Sequence, residues 1–218
     1  MQNGGGKIYQ TADNVEGIML LKVVPERTVS ADAKTRDPMW DNAALQTREG
    51  VNFIARFLGF FSDGEYRYVD VLQPNHSDII RYSGKDFPLN QTLNHIHPAR
   101  YAVTFENNVD SKLRRHWVAG ATIRIIDRQT DEVIAKKTIY VFEKGLDGTG
   151  GARMPWKFAI LCNKERLTSS EPLSDFVLSV LKPYILRPLY IASLIYCVPK
   201  KGRLTKINVL YFLQVTGL

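Results

Sequence analysis

Two β-prone runs around a short polar loop constrain this chain more than anything else in it. Residues 121–126 and 132–143 are rich in Ile, Val and Thr, and they flank Asp127, Arg128, Gln129, Thr130 and Asp131. Runs of that composition around a polar turn predict an antiparallel hairpin over 121–143. Ile123, Ile125, Val133, Ala135, Ile139 and Val141 can then share one face, since successive side chains of a strand alternate. A sheet with one apolar face must be covered, so the rest of the chain is read for strands that extend it and helices that close it.

Residues 18–24 form an apolar run bounded by Gly17 and Pro25, which predicts a buried strand, and a polar stretch follows over 26–41. Residues 51–61 satisfy two periods at once. Val51, Ile54, Ala55 and Leu58 fit a helical face, and Val51, Phe53, Ala55 and Phe57 fit a strand. Ser62, Asp63 and Gly64 supply a tight turn before the alternating run 65–72, so a second hairpin over about 51–72 is preferred. Residues 73–98 read as loop, with Pro74, Pro88 and Pro98, and 101–106 read as a strand. Leu173, Phe176, Val177, Val180 and Leu181 fall on one helical face, which predicts an amphipathic helix over about 171–182, capped by Ser170 and stopped by Pro183. The fold class expected is α+β and β-rich, a mainly antiparallel sheet with hairpins near 51–72 and 121–143 and one closing helix.

The charge sharpens the domain reading. The chain has 29 Lys and Arg against 22 Asp and Glu in 218 residues, a formal +7. Residues 184–218 hold five of those cations and no acid, which leaves 24 basic against 22 acidic residues in 1–183. A near-neutral body of mixed sign is a solvated surface and argues against nucleic acid as a partner. The one basic cluster of the body, Lys112, Arg114, Arg115 and His116 before Trp117, reads as a solvated turn. Residues 1–16 are expected as a flexible N-terminus, 17–183 as one β-rich domain, and 184–218 as an apolar, basic extension. That extension is read as extra structure, as a non-native tail or as a membrane-surface segment, because its longest apolar run falls short of a span. No basic segment followed by an apolar one opens the chain, so it reads as cytoplasmic or as a mature exported form.

Tyr68 to Pro74, Trp117 to Gly120, Arg124 to Asp127, Thr130 to Ala135, Gly150 to Trp156 and Cys162 occur in that order. Together they resemble an uncharacterised group of exported proteobacterial proteins of unknown function, over about residues 66–183. The resemblance implies a periplasmic or otherwise exported bacterial protein. It attaches no reaction, so it carries over no catalytic residue.

Five features of the chain could carry chemistry or contacts. His95 and His97 are two apart, so on a strand both imidazoles face one side and could share a transition metal, with His76, Asp78 or His116 as third ligand. The bland alternative is a pair of loop residues beside Pro98. Gly148 to Gly151 lack the Lys-Ser or Lys-Thr of a phosphate loop and read as a plain flexible loop. Asp70, Asp78, Glu106 and Asp110 supply carboxylates whose pairing only geometry can show. Cys162 and Cys197 allow one disulfide or two buried thiols. Tyr66, Tyr68, Trp117 and Trp156 could form an aromatic contact patch. With no convergent catalytic motif, a non-catalytic exported binding or structural domain without a cofactor is favoured. An enzyme of unknown reaction, metal-dependent through His95 and His97, and a membrane-peripheral protein acting through the tail are the alternatives. The partner, a protein or a membrane surface, and the oligomeric state are left open.

Overall fold

The computed structural model describes residues 5–26, 41–60, 66–94, 96–143, 159–162 and 171–184. Its strands are β1 Gly6–Ile8, β2 Ala12–Val15, β3 Gly17–Leu20, β4 Tyr68–Leu72, β5 Ile79–Ser83, β6 Asn90–Leu93, β7 Tyr101–Asn108, β8 Val118–Asp127, β9 Glu132–Glu143, β10 Ala159–Leu161 and β11 Leu181–Pro183. The helices are α1 Gly50–Phe57, α2 Ser111–Arg115 and α3 Pro172–Val180, with a 3₁₀ turn at Asp41–Ala44. The described residues all fall within one unit, Met1–Tyr184. The fold is α+β and β-rich.

One mixed sheet runs β1-β9-β8-β7-β3-β4-β5-β6, with β10 also on β9, and β2 with β11 forms a separate parallel pair. The 121–143 hairpin is present as β8 and β9, paired from Val118 with Phe142 to Asp127 with Glu132. A bulge between Ile125 and Ile126 changes one detail of it. Ile134 takes the core position, and Val133, expected to share the apolar face, is 40% exposed.

The expected hairpin at 51–72 is replaced by a helix followed by a strand. Phe53 through Leu58 are all buried, so this helix shows little polar face, and a run apolar on several sides fits both periods. Because α1 lies between β3 and β4, those two strands run parallel, as a crossover connection allows. β3 also runs parallel to β7. Residues 73–98, read as loop, contain β5 and β6, since their prolines sit outside both strands. The flexible N-terminus expected over 1–16 instead holds β1, paired with β9, and β2, paired with β11.

Helices α1 and α3 cover one face of the sheet. Phe53, Phe57, Leu173, Phe176 and Val177 pack with Ile18, Val69, Val103, Ile123 and Ile125 in the main core. Leu173, Phe176, Val177, Val180 and Leu181 are buried as their spacing predicts. The helix is shorter than expected, because Leu181 to Pro183 pair with β2, and Glu171 occupies the cap position that was assigned to Ser170. Arg56 of α1 pairs with the buried Glu171, which ties the two helices together.

On the opposite face, residues 96–100 lie over the sheet. Met19, Ala99 and Ala102 form a small second cluster there. Asp70 is fully buried and holds this arrangement. It accepts from Arg81 Nε at 2.7 Å, Arg81 Nη2 at 2.9 Å and the Ala99 N–H at 2.7 Å. Arg81 also donates to the His97 carbonyl at 2.7 Å. No described helix is long and apolar enough to cross a membrane.

Candidate functional site

The parallel strands β3 and β4 end side by side, and the chain leaving them, with Phe105 and Asn107 of the longer neighbouring strand β7, lines one cleft of about 660 Å³ against the start of α1. In open sheets the carboxyl ends of parallel strands are where loops diverge and leave room for a ligand. Each wall has a local cause.

After β3, Lys22 lines the cleft, and its ammonium donates a long hydrogen bond, 3.4 Å, to the Phe105 carbonyl. After β4, the turn at residues 73–78 is tied by its own side chains. Asn75 Oδ1 accepts from the N–H groups of Ser77 and Asp78, and Asn75 Nδ2 donates to Asp78 Oδ2. Asn94 adds a hydrogen bond to Asp78 Oδ1. Those two amides, Asn94 first, hold the Asp78 carboxyl below its ordinary range. The same turn sets His76 at φ +58°, a left-handed conformation that non-glycine residues adopt rarely, and places it on the cleft wall.

Near the end of β7, Asn107 donates from Nδ2 to Oδ1 of Asn42 at 2.8 Å, and Asn42 is buried in the 3₁₀ turn. The Asn107 Oδ1 atom is buried and, among the described residues, has no hydrogen-bond partner. Gly50 opens α1 at φ +57° and donates its N–H to the Val24 carbonyl at 2.8 Å. That left-handed backbone conformation favours glycine, and a Cβ there would also have to displace the exposed Glu26 side chain, 2.5 Å away. Val51, Ile54, Leu72, Tyr82 and Phe105 supply the apolar wall, and burial raises the Tyr82 phenol.

The residues singled out in the sequence are dispersed. His76 reaches the cleft, and Asp78 braces the turn that carries it. His116 follows α2, His97 lies in the segment over the opposite face, and His95 lies outside the described residues. Among the described residues no three His, Cys, Asp or Glu side chains converge. All four candidate carboxylates have structural partners: Asp70 with Arg81, Asp78 with the two amides, Glu106 with Arg124, and Asp110 as the cap of α2.

The basic cluster is a short helix rather than a solvated turn, and Arg114 on it is fully buried. Of the four aromatics considered for a contact patch, three have partners within the fold. Tyr66 is buried with its hydroxyl on the Leu181 carbonyl, Tyr68 lies under the Arg81 guanidinium at 3.6 Å, and Trp117 packs on the core. Trp156, Gly148 to Gly151, Cys197 and residues 185–218 lie outside the described residues, and Cys162 is an exposed free thiol.

Lys22, Asn42, Gln73 and Asn107 were not identified as site residues from the sequence. The one signal available was positional: Lys22 interrupts the apolar run 18–24 just where the strand ends.

No family model matches the chain, and no curated protein matches it. Among solved structures it is similar to a PelC dodecamer variant from Paraburkholderia phytofirmans, with 11% identity and a TM-score of 0.30 over 68% of this chain and 86% of that one. At that level the likeness carries nothing over to this chain.

Proposed function

We propose that this protein is a non-catalytic binding domain that takes a small molecule in the cleft at the ends of β3 and β4, beside β7. The observation that carries the reading is the composition of that cleft. Its volume of about 660 Å³ falls in the range of small-molecule sites, and apolar walls alternate with a few placed polar groups. Among the described lining residues the titratable side chains are Lys22, His76 and Tyr82, with no carboxylate and no Ser, Thr or Cys nucleophile. Acyl transfer or glycoside hydrolysis needs a nucleophile or a carboxylate pair, so this lining suits recognition better than those reactions. The setting we propose is exported and periplasmic in a bacterium, which the resemblance over residues 66–183 supports; osmotic-shock fractionation of cells expressing the full chain checks it, and recovery with the cytoplasmic marker would refute it.

Ligand-observed NMR with a mixed library of metabolite-like compounds tests the cleft. Hits are expected that disappear in Val51→Trp, a variant that fills the cleft from an exposed lining position. Hits that bind the variant equally well, or no hits at all, would overturn the reading.

A further inference from the structure

We infer that the outer edge of β1 docks an extended, acidic segment of a partner protein, which joins the sheet as a further strand and sets a carboxylate opposite Lys7. Strands β9, β8 and β7 separate this edge from the cleft strands β3 and β4. The first observation is a row of like charge. Lys7 lies directly opposite Lys136 across β1 and β9, and Lys136 lies opposite Arg124 across β9 and β8. Opposite residues of adjacent strands point to one face, so the three cations form a row that runs out to the sheet edge at about 4.8 Å per strand. Like charges so placed disfavour one another. The next row holds Thr138, Thr122 and Glu106. Glu106 is taken by Arg124 through both of its oxygens. Lys7 and Lys136 are exposed, and neither has an ion pair among the described residues. The Lys7 ammonium lies 4.7 Å from the Tyr9 ring centroid, a contact that favours keeping it on this face.

The second observation is the edge itself. β1 ends the sheet, and all three of its residues are exposed. Gly5 accepts from the Thr138 N–H at 3.0 Å, and Tyr9 donates to the Ile134 carbonyl at 2.9 Å. Backbone groups alternate in direction along a strand, so Gly5, Lys7 and Tyr9 turn theirs to β9 while Gly6 and Ile8 turn theirs outward. A strand bonded to those outward groups places the residue facing Lys7 in a non-hydrogen-bonded pair, where cross-strand side chains come closest. An Asp or Glu there continues the row with the opposite sign.

The third observation selects the occupant. One residue along, the side chain facing Ile8 falls on the other face of the sheet, and Ile8 is 48% exposed, so an apolar residue there covers it. The segment recognised therefore alternates acidic and apolar residues, as strands that bind by adding to an edge do through their alternate side chains. A second copy of this chain does not fit. Antiparallel self-pairing through Gly6 and Ile8 of both copies centres on Lys7 and sets it against its own copy.

NMR titration of the full chain with a capped, alternating Glu-Val peptide of about eight residues, an ordinary strand length, tests the docking. The amides of Gly6 and Ile8 should shift, and a Lys-Val peptide of the same length should bind at least about fivefold more weakly. Lys7→Gln should weaken the Glu-Val peptide by about two- to fivefold, and Lys7→Glu should erase its advantage over the Lys-Val peptide. Ile8→Pro removes one outward donor, which an edge strand tolerates, so it should abolish peptide binding while the urea midpoint stays at the parent value. Val51→Trp fills the cleft and should leave peptide binding unchanged, so the cleft and the edge stand or fall separately. Equal binding of the two peptides, Glu-Val binding indifferent to Ile8→Pro, or no binding of the Glu-Val peptide would each overturn the assignment. A single-stranded oligonucleotide or anionic vesicles bound through Lys7 yet indifferent to Ile8→Pro would put a polyanion on the flat face in place of an added strand, and would overturn it too.

Discussion

At the scale of single residues, two glycines show how closely this sheet is packed on the face away from the helices. A Cβ on Gly17 would lie 2.3 Å from the Tyr68 ring, and one on Gly120 would lie 2.7 Å from the Tyr140 ring. Tyr68 has little room to yield, because the Arg81 guanidinium stacks on it and is itself held by Asp70. Gly17→Ala should therefore destabilise by about 1–3 kcal/mol, the usual cost of overpacking. In a Tyr68→Ala background the same change should cost much less, and additive urea midpoints would contradict the contact. Charge gives a second expectation at this scale. Arg124 holds the Glu106 carboxyl low, and Arg100 does the same for Asp127. A carboxyl depressed in the folded state stabilises above its unfolded value, near 4, and loses that contribution as pH falls through the lower folded value. The urea midpoint should stay level from pH 7 to about 5 and drop below about 4, with a shallower drop in Glu106→Gln. A midpoint unchanged down to pH 2 would contradict the ion pairs.

At the scale of elements, legibility followed local periodicity. The β8–β9 hairpin and the apolar face of α3 were readable because each shows a single period: Ile123 and Ile125 alternate along β8 as Ile139 and Val141 do along β9, and Leu173, Phe176, Val177 and Val180 recur at helical spacing. α1 was misread because residues 53–58 are buried on all sides, and its two phenylalanines suggest a strand. Those rings meet edge to face at 5.5 Å in the core. Phe53→Ala should cost about 3–5 kcal/mol, measured by urea denaturation. A loss under 1 kcal/mol would mean that the helix does not seat in the core. The basic stretch 112–116 was misread for a different reason. Asp110 caps it through the N–H groups of Lys112 and Leu113, a signal that a charge count does not register. Asp110→Ala should cost about 1 kcal/mol of stability, and an unchanged midpoint would contradict the cap.

At the scale of the whole molecule, the fold class could be read from the chain, but the parallel core could not. β3, β4 and β7 lie far apart in sequence: β4 reaches β3 through the α1 crossover and β7 pairs with β3 only after β5 and β6, and a local pattern cannot reveal such pairings. The cleft inherits that difficulty: Lys22, Asn42, the 73–76 turn and Asn107 belong to four separate segments, each unremarkable alone. The HxH motif was conspicuous in sequence because its members are close along the chain, yet the backbone around His97 serves to hold the segment over the opposite face. The account therefore rests on where a bound small molecule sits. Backbone amide NMR during titration of a library hit locates it most directly. Shifts concentrated in residues 21–25, 50–54, 71–76 and 105–107 are predicted; shifts confined to the β1 or β6 edges of the sheet, with those four segments unmoved, would contradict it.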